Sequence, residues 1–194
     1  ELLARLPQAC HLSGSYRQTK TLQDVATPVK SEGAFLYSCN HGLAWHTQTP
    51  IVETLIYGKK ASNTRIDAQG QEHTLKKRLH RHLSTLLNGL IGADTEYLNK
   101  YFSISSHENT IQLTPKKRRM RKFIRVIDID IKNSPTNDIS KDEEGKASLI
   151  TLNFTSGQST QMHIFDHKTY SSLNAESCES LKHIRPAACK SLFK

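Results

Sequence analysis

The sequence predicts a single α+β domain, residues 1–194, built on an antiparallel sheet. Three observations support this fold class. Several short stretches rich in β-formers come first, one long amphipathic stretch follows them, and more β-rich stretches complete the chain. A doubly wound parallel sheet would instead alternate strands and helices, and its Gly-rich phosphate loop is missing from the sequence. A chain of 194 residues is long enough to enclose one sizeable apolar core.

The N-terminal third is predicted to hold a short helix and four strands. Residues 1–8 carry leucines on one side and include Pro7, where a helix would stop. The four strands are separated by Pro, Asn and Gly, and their close spacing predicts antiparallel pairs. They cover residues 16–22, 33–37, 43–47 and 51–57.

A long amphipathic helix is predicted over residues 72–91. Its apolar residues recur at steps of three and four and form one stripe: Leu75, Leu79, Leu83, Leu86, Leu87, Leu90 and Ile91. The opposite side is basic, with Lys76, Lys77, Arg78, His80, Arg81 and His82. A helix with this pattern is expected to lie over an apolar surface.

The remainder of the chain is predicted to add five strands. They cover residues 101–105, 110–114, 123–131, 149–154 and 161–165. In the third of them Ile127, Ile129 and Ile131 alternate with Asp128 and Asp130, which predicts one dry and one wet face. The polar segment 133–146 is expected to be a long loop or hairpin tip, and the pattern from residue 173 onward is mixed.

The charge is strongly positive and has one sharp concentration. Lys and Arg number 27 against 18 Asp and Glu, so the chain is attracted to anions. The run Lys116, Lys117, Arg118, Arg119, Met120, Arg121 and Lys122 lies between two predicted strands and is expected to form a basic hairpin turn. It either binds phosphates or an acidic partner, or it is a solvated turn that protects strand edges from aggregation. Nucleic acid is disfavoured, because the run lacks interleaved aromatic side chains for base stacking.

Four cysteines are present, at positions 10, 39, 178 and 189, without a CxxC pair, so a zinc knuckle is not expected. Their even number is compatible with two disulfides in any of three pairings. We favour Cys10–Cys39 and Cys178–Cys189, which would hold the N-terminal region and the C-terminal tail separately. Four unpaired thiols in a cytosolic protein are the alternative.

Common enzyme signatures are missing from the chain. It has no GxSxG, HExxH, GxxxxGK[ST] or GxGxxG motif, and its ten histidines show no ligand-like spacing. No apolar run is long enough to span a bilayer. We therefore expect no catalytic residues, metal or cofactor. The chain opens at Glu1 without a signal sequence, so an export signal is expected to have been removed.

Four segments carry a family resemblance. Residues 14–20, GSYRQTK, are similar to the aromatic-x-Gln pattern that begins the first strand of LolA-type carriers. Residues 33–37, GAFLY, and 42–50, GLAWHTQTP, resemble that family's Gly-x-Leu-aromatic strand and its aromatic-x-Trp strand with a Pro turn. Residues 111–116, IQLTPK, are like the Leu-Thr-Pro-Lys strand end. In order and spacing the chain resembles a divergent member of the bacterial lipoprotein carrier (LolA) family over residues 12 to 175.

The resemblance implies a curved, incomplete barrel of antiparallel strands whose hydrophobic concavity is covered by lid helices. It also implies a non-enzymatic periplasmic carrier, a monomer, that takes lipoprotein acyl chains or another lipid from an inner-membrane donor to an outer-membrane acceptor. Sheltering a methylene group contributes about 0.8 kcal/mol, so such transport needs no chemistry. The cavity would be lined by Phe35, Leu43, Trp45, Leu55, Phe123, Ile127, Leu152, Phe154 and Met162 of the sheet, with Leu83, Leu86, Leu87 and Leu90 of the lid.

Two positions depart from the family pattern. Family members have an Arg before the aromatic-x-Trp segment that bonds to the lid helices and helps govern release, and Cys39 stands there in this chain. Leu43 replaces an aromatic residue. A Cys10–Cys39 disulfide would then fix the N-terminal helix, and the cargo would be another lipid, such as a glycolipid or a polyene-linked lipid.

Two rival functions follow from the same residues. The first is a basic adaptor that docks on an acidic membrane protein or an anionic lipid surface without cargo. The second is an outer-membrane receptor of the same fold, which would need an acylated cysteine where this chain begins with Glu1.

Overall fold

The computed structural model of the protein describes residues 9–59, 62–75, 78–131, 148–179, 181 and 184–194, without the side chains of 78–81 and 131. The predicted helix 1–8 and the predicted loop 133–146 lie outside these residues. The strands are β1 (His11–Thr21), β2 (Val29–Ser38), β3 (Gly42–Thr49), β4 (Glu53–Gly58), β5 (Thr64–Ile66), β6 (Glu72–Thr74), β7 (Phe102–His107), β8 (Thr110–Pro115), β9 (Ile124–Ile131), β10 (Ser148–Phe154) and β11 (Ser159–Thr169). The helices are α1 (Arg78–Ile91), α2 (Thr95–Tyr101), α3 (Arg118–Arg121), α4 (Ala175–Glu179) and α5 (Pro186–Leu192).

All the described strands belong to one antiparallel sheet in the order β6-β5-β4-β3-β2-β1-β11-β10-β9-β8-β7. β6 and β7 are its two edges, so the sheet does not close. Inner-face residues from β1 to β4 and from β7 to β11 nevertheless join one apolar cluster with α1 and α2. Strands lie about 4.8 Å apart, so a flat sheet of this width would separate these residues too far, and the sheet must curve. The predicted α+β half-barrel with covering helices is confirmed.

The alternation predicted in β9 is also confirmed. Ile127 and Ile129 are buried on the inner face. On the other face the Asp128 carboxylate accepts hydrogen bonds from Gln112 at 2.9 Å and Asn153 at 3.1 Å. Carboxylates thus join neighbouring strands on the wet face, and isoleucines fill the dry one.

The long helix is shorter than predicted. It begins at Arg78, because Glu72–Thr74 forms a strand that pairs with β5. Both of these strands are only three residues long, too short for a period-two pattern to reveal them.

The short helix α2 was not predicted, and the following strand begins at Phe102 rather than at residue 101. The Asp94 side chain caps this helix by accepting from the Tyr97 amide at 2.9 Å. The sequence Asp-Thr-Glu at 94–96 is a helix-start pattern from which α2 could have been predicted.

The C-terminal segment, described over residues 173–179, 181 and 184–194, covers part of the outer face of the sheet. Leu173, Ile184, Ala188 and Leu192 pack on the outer side of β2 to β5, and the Cys178–Cys189 disulfide lies within this contact. The sheet residues beneath them are Ala34, Leu36, Ala44, Ile56 and Ile66. The central residues of β2 to β4 are therefore buried on both faces.

Candidate functional site

The inner face of the sheet and the helices above it form the main apolar cluster. α1 contributes Leu86, Leu90 and Ile91, which meet the strands from above, and α2 contributes Leu98. Of the residues predicted to line a cavity, the structure brings together all except Leu83 and Phe123. Those in or against the cluster are Phe35, Leu43, Trp45, Leu55, Ile127, Leu152, Phe154, Met162, Leu86, Leu87 and Leu90.

Phe123 and Leu83 lie elsewhere. Phe123 precedes β9 and is 58% exposed, while its neighbour Ile124 is buried in the cluster. The register between β9 and β10 shifts near Phe154, and this irregularity turns Ile124 inward in place of Phe123. Leu83 is half-buried on α1.

Aromatic side chains form the centre of the inner face. The Trp45 ring stacks on Tyr16 with centroids 4.0 Å apart and lies 5.9 Å from Phe35. The Tyr16 hydroxyl makes a 2.8 Å hydrogen bond with Thr47. Burial raises the pKa of Tyr16 to about 12, so the hydroxyl stays neutral and the surface stays uncharged.

A small apolar cavity lies between the C-terminal end of α1 and the sheet. Its volume is about 30 Å³, room for about one water molecule. α1 contributes Leu90 and Ile91 to the wall of this cavity. The lining residues are Leu12, Phe35, Leu90, Ile91, Ile129, Ser148, Ile150, Ile164 and His167.

Only Phe35 and Leu90 among these lining residues were predicted. Ile129 and Ile150 lie two residues beyond the predicted Ile127 and Leu152 on the same strand faces, so extending the alternation by one step identifies them. The pKa of His167, which also lines the cavity, is lowered by burial, so the imidazole is neutral at pH 7.

Two contacts hold the end of α1 to the sheet. The Asn88 side-chain amide donates to the Tyr57 carbonyl of β4 at 3.1 Å and to the Ser84 carbonyl at 2.8 Å. Gly92 lies so close to Tyr37 of β2 that an added Cβ would come within 2.2 Å of the tyrosine hydroxyl. The helix end is thus seated directly on the strands.

A disulfide joins Cys10 to Cys39 with their Cα atoms 4.8 Å apart. Cys39 also packs against the inner cluster, and its amide donates to the Cys10 carbonyl at 2.7 Å. This disulfide and Cys178–Cys189 are the pairing that the sequence analysis favours. Cys39 is therefore covalently tied to the residue that precedes β1.

The basic run forms the turn between β8 and β9 and contains the single helical turn α3. Met120 points toward the inner cluster, while Arg118, Arg119 and Arg121 are exposed. The Lys116 ammonium donates to the Asn99 carbonyl at 2.7 Å. Among the described residues, no carboxylate lies within ion-pair distance of this run.

No group of three or more His, Cys, Asp or Glu is placed to hold a metal ion in the described parts of the chain. No helix within them is long and apolar enough to cross a bilayer.

Comparisons with known proteins place the chain in a family. The family model "Outer membrane lipoprotein carrier protein LolA" matches residues 8–168. No curated protein matches the sequence.

Two solved structures are similar at low identity. A LolA superfamily protein from Nitrosomonas europaea is 11% identical, with a TM-score of 0.42 over 89% of this chain and 93% of that one. A putative outer membrane lipoprotein-sorting protein domain from Vibrio parahaemolyticus is 9% identical, with a TM-score of 0.41 over 89% and 91%. Because the family model spans most of its length, the chain belongs to the outer membrane lipoprotein carrier (LolA) family.

Proposed function

We propose that the protein is a periplasmic carrier that shelters the acyl or other apolar part of a lipoprotein or lipid between α1 and the inner face of the sheet. It receives this cargo from an inner-membrane donor and delivers it to an outer-membrane acceptor. Family membership supports a carrier of this general kind. The observation that carries the proposal is the apolar cavity between a helical cover and a curved sheet.

Cargo enters by displacing α1. A cavity of about 30 Å³ is far smaller than an acyl chain, so Leu86, Leu90 and Ile91 must leave the sheet as the chain arrives. The inner face of the sheet then contacts the acyl chain in place of the apolar side chains of α1. Each methylene that leaves water contributes about 0.8 kcal/mol, which offsets the cost of lifting the helix. The binding surface in this proposal consists of the predicted residues of the inner cluster and the cavity lining.

A cavity-filling variant with a matched control tests this proposal. Ile150 lines the cavity and Ile56 lies under the C-terminal segment, on the opposite face of the sheet. We expect Ile150→Phe to weaken the binding of a fluorescent fatty acid at least tenfold, because the larger ring occupies the site. Overpacking costs about 1 to 3 kcal/mol in either core, so Ile56→Phe should lose similar stability yet bind as wild type does.

The endogenous cargo is read from the wild-type protein. Organic extraction of purified protein followed by mass spectrometry should identify a lipid at a substantial molar ratio. An empty extract together with no fatty-acid uptake by the wild type would overturn the proposal. Equal fatty-acid uptake by both phenylalanine variants would show that the cargo binds outside this cavity.

A further inference from the structure

The exposed large apolar side chains of the described residues are confined to three turns. Val25 and Val29 lie in and beside the β1–β2 turn, Ile51 and Val52 in the β3–β4 turn, and Phe123 in the β8–β9 turn. Ile51 is 70% exposed and Phe123 is 58% exposed. Exposed apolar side chains of this size are normally scattered one by one over a protein surface. Their restriction to three turns therefore calls for an explanation.

The pairing of the strands places these turns at the same end of the strands. Glu32 pairs with Thr49, Lys20 with Val29, Thr21 with Ser159, and Phe154 with Ile124. The turns 50–52, 22–28, 155–158 and 116–123 therefore follow one another in a row, which we call the turn edge. Successive turns are two strands apart, a spacing of about 10 Å.

Most of the positive charge of the turn edge sits beside Phe123. Lys116, Lys117, Arg118, Arg119, Arg121 and Lys122 precede it directly. This turn is fixed to its neighbour in the row, because the Thr155 amide donates to the Phe123 carbonyl at 3.0 Å and the Thr155 hydroxyl donates to the Lys122 carbonyl at 2.8 Å. The cations and the ring are thus presented together on a supported turn.

We propose that the turn edge docks on the surface of an anionic phospholipid bilayer. The cations of the β8–β9 turn lie among the lipid head groups, and Phe123 and Ile51 enter the interface. Aromatic side chains are favoured at that depth, and basic residues are attracted to an anionic leaflet. Apolar tips spread over several turns suit a fluid, continuous surface, whereas a folded protein partner would need a separate pocket for each.

Docking goes beyond cargo binding and is separable from it. The cavity lies toward the other ends of the strands, near Leu12 at the start of β1, Ser148 at the start of β10 and His167 near the end of β11. A substitution in the turn edge therefore leaves the cavity residues untouched.

The test measures binding of the full chain to vesicles by flotation. Vesicles of mixed phosphatidylglycerol and phosphatidylcholine should bind the wild type, and pure phosphatidylcholine should not. The triple variant Arg118→Gln, Arg119→Gln, Arg121→Gln should bind anionic vesicles about tenfold to a hundredfold more weakly. The matched control, Lys59→Gln, Lys168→Gln, Lys190→Gln, removes the same charge from exposed sites away from the turn edge and should bind as wild type does.

Insertion has its own readout. In a Phe123→Trp variant, brominated lipid should quench the new tryptophan, while Trp45, which is buried, should not respond. Equal weakening in both triple variants, no quenching, or no binding to anionic vesicles would each overturn the proposal. Retention on polyglutamate beads with no vesicle binding would also overturn it, in favour of an acidic protein partner. Fatty-acid uptake in the same variants reports separately on the carrier function.

Discussion

Asn88 is a polar residue buried between α1 and the sheet. Its amide nitrogen donates to the sheet, and its Oδ1 has no hydrogen-bond partner among the described residues. Burying a polar atom without a partner costs free energy, so this side chain both attaches the cover and weakens it. Both properties are expected of a helix that is held on the sheet but displaced when cargo binds.

The variant Asn88→Ala tests this role. It removes the hydrogen bond to Tyr57, so we expect the free energy of unfolding to fall by about 1 kcal/mol and fatty-acid uptake to become faster. Urea unfolding and stopped-flow fluorescence measure the two effects. Ser84→Ala is the control, because it leaves the bond to the sheet intact. Uptake no faster in Asn88→Ala than in Ser84→Ala would contradict the prediction.

Most of the inner-face residues could be predicted from the sequence, but the residues at strand irregularities and the polar residues of the cavity could not. Strand periodicity identified Ile127 and Leu152, since alternation alone decides which face a residue occupies. It failed at Phe123, because a register shift reverses the alternation there and no local pattern announces it. His167 and Ser148 were missed because a polar residue beside an apolar cavity has no sequence pattern of its own.

At the scale of elements, each of the nine predicted strands overlaps an observed one, and the covering role of α1 is confirmed. The C-terminal cover was not predicted, although one signal was available. Residues 33–37, GAFLY, contain no alternating polar residues, and such a run indicates a strand covered on both faces. In the structure Gly33–Ser38 are all buried. The sequence could show that a second cover exists but not which segment supplies it.

The Cys178–Cys189 disulfide is expected to secure this cover. The two residues are 11 apart, and in the chain-entropy model closing such a loop stabilises the fold by about 3 kcal/mol. We expect Cys178→Ser with Cys189→Ser to lower the free energy of unfolding by about that amount and to expose the C-terminal segment to proteases. Urea unfolding and limited proteolysis provide the measurement.

The other disulfide supplies the control for that experiment. Cys10→Ser with Cys39→Ser removes a longer loop and should cost at least as much stability, yet leave the C-terminal segment protected. Identical cleavage patterns in the two double variants would show that the cover does not depend on its own disulfide.

At the scale of the whole molecule, the two halves of the sheet are joined by the pairing of β1 with β11, which no local sequence pattern predicts. β1 pairs with β11 through Leu12 with Thr169 and Thr21 with Ser159, contacts between opposite ends of the chain. Neighbouring strands in sequence pair by short turns, which is why the antiparallel class was predictable. The strand order across the middle of the sheet depends on the shared apolar interior, and only the folded structure reveals it.

The free energy of unfolding is expected to depend on pH, because one histidine is buried under each of the two covers of the sheet, α1 and the C-terminal segment. His46 lies under the C-terminal segment, and its pKa is lowered by burial and then by the nearby Arg185 guanidinium. Its Nδ1 lies 2.9 Å from the Thr54 hydroxyl. Burial likewise lowers the pKa of His167 under α1. The folded state therefore holds both imidazoles neutral.

Because the folded pKa values lie below the unfolded value of about 6.5, the unfolded chain binds more protons as pH falls. The contribution of the neutral imidazoles to stability is fully present above the unfolded pKa. It is lost as the pH falls from the unfolded pKa to the folded pKa values. We expect the free energy of unfolding, measured in urea, to fall from about pH 7 to about pH 5. His46→Asn should reduce this slope, and His107→Asn, at an exposed site, should not. Parallel pH profiles for all three proteins would show that the histidine under the C-terminal cover is not the group that titrates.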